Sequence, residues 1–375
     1  VATDIDIVVV GAGLTGAATA WAAGRAGRSV VLLDTHGFGH DRGSSHGTSR
    51  IFRRVYPDPL YVTMTGRARD GWRRLESDSG ATLLRVTGGI DHGRHRDPEA
   101  LAATLADLGL SHELLSPDEA AARWPGMVFR GPVLFQPEAG VINADDSVKA
   151  FLDVARRNGA RLVPHTPVQH IDIRGDHVVV HAGESIRARR AVLAVGPWLP
   201  EFLATSRLDI PLPPVRVTQQ QVFHFPRRDP HAAWPVVVHK DTHQIFGLPS
   251  GADGGPRPAM KVAQHDDGTP TTASTRTGTI DPIGRRRILD YVREWLPGLD
   301  PHPVADGTCL YTTTSDEDFI LDRWGPIVVA SPCSGHGAKF APLLGEMIAD
   351  LALGRGDTTP RFALTRTPSR TGDPV

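Results

Sequence analysis

The chain opens on a continuous apolar, β-branched run from Ile5 to Val10, interrupted only by Asp6. Such a run predicts a strand buried on both faces, as in a parallel sheet. Gly11–Ala12–Gly13–Leu14–Thr15–Gly16 follows without a break. Alanine-rich Ala17 to Arg25 then predicts a helix, and Ser29 to Leu33 a second strand closed by Asp34. Strand, helix and strand in this order form a βαβ unit, which predicts a doubly wound α/β sheet. Later, Gln169 to Ile173 and His177 to His181 read as short strands around an Arg-Gly-Asp turn. Ala191 to Val195 is another apolar strand, running into Gly196–Pro197–Trp198. Thr218 to Phe225 and Val236 to Phe246 predict antiparallel strands with His or Gln interleaved. Pro282 to Trp295 predicts a helix with Ile283, Ile288, Leu289, Val292 and Trp295 roughly on one face. The last predicted helix covers about Leu343 to Leu353, and the tail from Pro368 is expected to be disordered.

At 375 residues the chain has room for about two domains. Pro211–Leu212–Pro213–Pro214 predicts a crossing between them, since Pro stiffens linkers and ends regular elements. The run Gly251–Ala252–Asp253–Gly254–Gly255–Pro256 predicts a loop. The nucleotide-binding half is therefore expected to be assembled from separated pieces with a second domain inserted between them.

Composition narrows the function classes. Lys+Arg 41 against Asp+Glu 42 leaves a formal charge of -1, which argues against a strongly basic nucleic-acid or membrane surface. No apolar stretch approaches the roughly 18–20 residues that span a bilayer. The start carries no basic secretory n-region and the end no recognisable address. Two cysteines, Cys309 and Cys333, exclude a disulfide scaffold and make a reducing cytoplasm the expected compartment. Only Lys149, Lys240, Lys261 and Lys339 are lysines; every other basic residue is arginine. A lysine in such a chain points to a position where Arg would not serve, because the two differ in geometry and in how readily they titrate.

Gly11, Gly13 and Gly16 stand where a dinucleotide fingerprint requires them, after a strand and opening a helix. Gly11 allows the tight turn, Gly13 the approach of a pyrophosphate, and Gly16 close packing of helix on strand. The helix N-terminus offers free N–H groups to phosphate, and Asp34 can accept ribose hydroxyls. The fingerprint does not separate FAD from NAD. Next comes Gly43–Ser44–Ser45–His46–Gly47–Thr48–Ser49–Arg50, with Arg53 and Arg54 close behind. Arginines suit a carboxylate or phosphate, and equally a solvated face. Cys309 and Lys261, taken alone, read as a packing cysteine and a strand-end lysine.

The ordered set of GxGxxG, Gly-Ser-x-His-Gly-x-[Ser/Thr]-Arg-x-x-Arg, Cys309–Leu310–Tyr311–Thr312 with Asp316–Glu317 and Phe319–Ile320, and Ser334–Gly335–His336–Gly337–Ala338–Lys339–Phe340 resembles the monomeric sarcosine oxidase and N-methyltryptophan oxidase family of FAD-dependent amine oxidases. The resemblance covers nearly the whole chain, tightest in the two C-terminal motifs and loosest in the middle. It implies a glutathione-reductase-like FAD-binding domain from residues 1–85, 140–205 and 302–375, and an α+β antiparallel-sheet substrate domain from 86–139 and 206–301. It implies FAD held through Gly11, Gly13, Gly16, Asp34, His46, Ser49, Arg50, Val168, Gly196, Trp198, Gly335, His336 and Gly337, with Cys309 carrying the flavin in a thioether. A thiolate is the nucleophile such a bond needs, and charge from Arg50 and His46 would favour it. Arg53 and Lys339 match the cations that hold a substrate carboxylate; Lys261 matches a lysine that assists reaction with oxygen; His265 matches an active-site histidine. Phe246 and Asp58 fall where small-substrate relatives carry tyrosine and glutamate, so a differently shaped, more apolar pocket is expected, with Cys333 packing near it. The implied reaction converts a secondary, N-methyl or cyclic amino acid to an imine while molecular oxygen becomes hydrogen peroxide, in a monomer without nucleic-acid or membrane partners. An FAD-dependent dehydrogenase, a non-catalytic flavin-binding protein and an NAD enzyme are the rival readings.

Overall fold

The structure is a computed structural model that describes residues 5–206 and 208–367; the tail from Pro368 lies outside the described residues. Ile5–Val10 is a strand, paired in parallel with Val30–Leu33 on one side and with Glu184–Leu193 on the other. Arg161–Val163 and Ile327–Ser331 extend the parallel part outward. Antiparallel pairs, His170–Arg174 with His177–Ala182 and Ile320–Trp324 with Ile327–Ser331, complete eight strands.

Both faces of this sheet are covered, which explains the unbroken apolar run at the start of the chain. Ile7, Val9 and Leu32 pack with Trp21, Trp72 and Phe151 on one side. Val8, Val10 and Leu33 pack with Ile171, Val178 and Leu193 on the other. Asp6 interrupts the run because it works near the start of the strand, where the neighbouring strand has not yet begun: its carboxylate accepts from the Ser29 N–H at 3.0 Å, and its own N–H donates to Ser29 Oγ at 2.8 Å. Ser29 is thereby drawn out of the predicted strand, which begins at Val30.

The second sheet has nine strands and is almost wholly antiparallel. Val215–Pro226 runs through it, pairing with Ala259–Gln264 and, over ten positions, with Ala305–Thr314. The predicted segment from Val236 to Phe246 is a hairpin of Val236–Lys240 and Gln244–Pro249. Gly89–His92 lies beside it and makes the parallel exception. Ala305–Thr314 sits in this second sheet, although residues 302–375 are grouped by sequence with the FAD-binding pieces; its long ladder to Val215–Pro226 decides its place. The helix Pro282–Trp295 forms with the predicted bounds and covers this sheet through Ile288, Val292 and Trp295. Ile283 is the exception on the predicted face. It is 69% exposed, because Asp281 caps the first turn and that turn presents Gly284 inward instead.

A small third sheet, Arg50–Phe52, Gly140–Ile142 and Leu84–Val86, lies where the chain passes between the larger two. The Pro211 to Pro214 segment likewise leads from the helix Leu199–Ser206 into Val215–Pro226.

Candidate active site

One cavity of about 690 Å³ runs between the two large sheets. That lies within the roughly 300–1,000 Å³ usual for small-molecule and cofactor sites. Every predicted site residue lines it except Gly16. Three of the four lysines, Lys240, Lys261 and Lys339, also line it.

The first end is built by the βαβ turn. Gly11 has φ +98°, and a Cβ there would lie 2.5 Å from the Ala194 carbonyl oxygen. Gly16 acts one layer behind the wall: a Cβ on it would fall 1.8 Å from the Gly11 oxygen, so the helix Leu14–Arg25 sits directly on the turn. That helix has no side-chain cap from Gly13; Ser45 Oγ accepts from the Leu14 N–H at 3.0 Å instead. Asp34 is buried and fixes the turn, its two oxygens accepting from the N–H groups of Ala12 and His36, each at 2.7 Å. A carboxylate oxygen has two acceptor positions, so Asp34 keeps capacity for a hydroxyl. Val168, Gly196 and Trp198 close this end.

The middle of the cavity is cationic. Arg50 donates to the carbonyls of Ser44, Ser49 and His46 and has no carboxylate in ion-pair contact among the described residues. Burial first, and then Arg50, lower the His46 pKa to about 4, so its ring is neutral at pH 7. His46 Nε2 and Ser49 Oγ are buried with no hydrogen-bond partner, and both residues are on the wall. Lys261 is buried and donates to Asp253 Oδ2 at 2.7 Å and to the Ser49 carbonyl at 3.4 Å. Cys309, opposite Gln220 in the ladder, faces the same space. The expectation of a charge-favoured thiolate needs correction here: burial pushes the Cys309 thiol up, and Arg50 and Lys261 only partly oppose it.

The far end holds Arg53, Lys339, His265, Tyr311 and Phe246. Lys339 Nζ donates to Tyr56 Oη and to the His336 carbonyl, each at 2.8 Å, and meets no carboxylate among the described residues. Burial and then Arg53 push its pKa well below the usual lysine range. Arg53 is equally buried, but Asp91 lies 3.7 Å from it and also binds Arg96 Nε at 2.7 Å. His336, expected to touch the cofactor, has its ring engaged by the protein, with Nδ1 3.2 Å from Tyr56 Oη and Nε2 3.1 Å from the Glu317 carbonyl. It serves Lys339 through its backbone. Asp58 is not on the wall; it caps the helix Pro59–Ser79 and pairs with Arg361. Cys333 does line the cavity, accepting from the Thr312 N–H at 3.4 Å.

The sequence profile of the "FAD dependent oxidoreductase" family matches residues 6–351. The chain belongs to this family. It is 32% identical over 364 residues to the peroxisomal sarcosine oxidase of Mus musculus, covering 93% of this chain and 92% of the relative. It is 30% identical over 369 residues to the monomeric sarcosine oxidase of Bacillus sp. (strain B-0618), covering 94% and 93%. Among solved structures, a variant of NikD, described as an unusual amino acid oxidase essential for nikkomycin biosynthesis, superposes with a TM-score of 0.87 at 25% identity, over 99% of this chain and all of that one. The resemblance drawn from the motifs is thus borne out, and with it the fold class. The protein is a sarcosine oxidase-like, FAD-dependent oxidoreductase, which removes the NAD reading.

The cavity fits this cofactor. The glycine turn and open helix start suit a pyrophosphate. The orphaned His46 Nε2 and Ser49 Oγ offer polar contacts that the protein itself does not use. No helix among the described residues is long and apolar enough to cross a membrane.

Three residues beside the predicted set escaped sequence reasoning. Tyr56 positions Lys339, Asp91 offsets Arg53, and Asp253 binds Lys261. Asp253 stands in a run legible only as a glycine-rich loop, and nothing in its spacing to Lys261 marks the pair.

Proposed function

We propose that the protein oxidises a secondary, N-methyl or cyclic amino acid to its imine, with oxygen reduced to hydrogen peroxide. The observation that carries this reading is Lys339, a buried amine beside Arg53 in the cavity wall whose hydrogen-bond partners among the described residues are neutral and whose proton burial disfavours until an anion binds. A buried ammonium calls for an anion, and a substrate carboxylate supplies one. FAD, held by the glycine turn, Asp34, His46, Ser49 and Arg50, would supply the redox chemistry, a two-electron exchange between the C–H bond next to nitrogen and oxygen.

The chain's own residues then divide the work. Arg53 and Lys339 hold the carboxylate and so fix which C–H bond faces the cofactor. His265 orients the amine or accepts its proton. Phe246, with Val238, Ile245 and Leu248 on the same wall, favours an apolar body larger than a methyl group. Cys309 would hold the flavin through a thioether, and Lys261 would present its amine, paired with Asp253, to oxygen. The division into FAD-binding and substrate domains follows the sequence boundaries, apart from Ala305–Thr314. The protein acts as a monomer in a reducing compartment, in keeping with two unpaired cysteines.

The test is a panel of N-methyl and cyclic amino acids, scored anaerobically for flavin bleaching and aerobically for peroxide. Bleaching with no return of colour in oxygen replaces the oxidase with a dehydrogenase. A yellow protein that no amino acid bleaches is a silent flavin binder, and the proposal fails.

A further inference from the structure

We propose that Asp253 is a positioning residue for Lys261, anchoring its ammonium group in the cavity wall. This rests on the reading above, in which Lys261 serves the oxygen reaction. The anchor is itself well built. Asp253 comes from the short turn Ala252–Gly254, and its Oδ2 sits 2.7 Å from Lys261 Nζ. Thr48 locks the carboxylate from the other side. Its Oγ1 donates to Asp253 Oδ1 at 2.5 Å, its N–H donates to Oδ2 at 3.2 Å, and the Asp253 N–H donates back to Thr48 Oγ1 at 3.1 Å. Gly47 lets the loop come this close; a Cβ there would lie 3.3 Å from both Asp253 Oδ2 and Arg50 Nη1.

The groups facing Lys261 come from five segments. They are Asp253 from its turn, Arg50 from the strand Arg50–Phe52, His46 from the preceding loop, His224 opposite Lys261 in the ladder, and Cys309 from Ala305–Thr314. Among these Asp253 is the one carboxylate. His224 is held by Ser250 Oγ at 2.9 Å, and burial followed by Lys261 lowers its pKa to about 4, so at pH 7 it brings no positive charge of its own. Burial and Arg50 push the Lys261 pKa down, and Asp253 opposes both. Burial also works against the charge on Asp253, but Lys261 and Thr48 outweigh it and hold the carboxyl below its ordinary range. Asp253 therefore opposes the loss of the Lys261 proton that burial and Arg50 favour, and the ion pair fixes where the ammonium group lies.

The inference is tested on the FAD-loaded enzyme as wild type, Asp253→Asn, Asp253→Glu and Lys261→Met. Competitive acetylation across pH, read by peptide mass spectrometry, gives the Lys261 titration midpoint, and the same measurement on FAD-free protein keeps the readout independent of turnover. Stopped-flow exposure of reduced enzyme to oxygen gives the second readout. Asp253→Asn is expected to lower the midpoint by about 1–3 pH units, the range for losing an adjacent opposite charge. Its reoxidation should be slow above the new midpoint and recover below it, while Asp253→Glu restores both. An unchanged midpoint in Asp253→Asn overturns the proposal. So does a shifted midpoint with wild-type reoxidation at every pH, when Lys261→Met is slow. Wild-type reoxidation in Lys261→Met instead overturns the oxygen reading of Lys261, and the acetylation midpoint still decides the pairing. Should Asp253→Asn fail to accumulate, Thr48→Val, which removes the Oγ1 contacts to Asp253, is expected to shift the midpoint in the same direction by less; no shift there counts against the proposal.

Discussion

Replacing Lys339 with methionine keeps most of the side-chain volume and removes the charge. In the native protein the ammonium has Tyr56 Oη and the His336 carbonyl as partners and no carboxylate among the described residues. A bound carboxylate would be its counter-ion. Stripping one partner from a buried ion pair costs about 3–5 kcal/mol. Arg53 remains, so the lower end applies; about 3 kcal/mol is a roughly 150-fold loss of affinity at 1.36 kcal/mol per factor of ten. The assay is titration of the holoenzyme with a cyclic carboxylate that cannot be oxidised, such as cyclopentanecarboxylate, followed by the flavin spectrum. Cyclopentanecarboxamide is the neutral control and should bind both proteins alike. The pH dependence carries a further sign. The ligand-free pKa of Lys339 is lowered, and a bound anion raises it again. Affinity is then complete below the ligand-free pKa and falls about tenfold per pH unit above it, until the ligand-bound pKa is reached. Lys339→Met should lose that slope. Carboxylate binding within threefold of wild type, or an unchanged slope, would refute the clamp.

Cys309→Ala should still bind FAD but release it into the supernatant on acid precipitation, whereas wild type should give a yellow pellet and a flavin-bearing peptide by mass spectrometry; free flavin from wild type removes the thioether. Gly16→Ala, whose new methyl would fall 1.8 Å from the Gly11 oxygen, should cost about 1–3 kcal/mol and empty the FAD site, read as a lower melting temperature and a colourless protein. A yellow variant with wild-type melting would show that helix and turn do not pack as described.

What the chain revealed in advance follows from range. The βαβ unit was legible because strand, turn and helix lie within the first residues and each leaves a local signature, down to Gly11 and Gly16, crowded by the carbonyls of Ala194 and Gly11. The helix Pro282–Trp295 was legible from its apolar face. Ile283 was misread because periodicity locates a face but not where the opposing layer ends. The partners of the cavity cations were out of reach for a related reason. Tyr56 and Lys339 are 283 positions apart, Thr48 and Asp253 205 apart, and no pattern along one segment joins them. Family motifs named Arg53, Lys261 and Lys339; which of them carries a carboxylate neighbour appears only when the two sheets face each other.

That last distinction has an energetic consequence. A protein interior tolerates charge when it is paired or well hydrogen-bonded. Arg50, Arg53, Lys261 and Lys339 share this wall, and they differ in their partners. Lys261 has Asp253 and Arg53 has Asp91 nearby. Arg50 and Lys339 have only neutral acceptors among the described residues. The two without a carboxylate have different neighbours, Arg50 the orphaned His46 and Ser49 and Lys339 the Arg53 guanidinium. Under the proposed function both deficits are met from outside, the first by the anionic cofactor and the second by the substrate. Each ligand then binds the folded state alone and relieves a cost that the empty protein carries, so each raises stability by linkage. The two increments should be separable: FAD raises the melting temperature of Lys339→Met as it does that of wild type, and a carboxylate adds a further rise only where Lys339 is present. A carboxylate that stabilises both proteins equally would mean that its charge is met elsewhere on the wall.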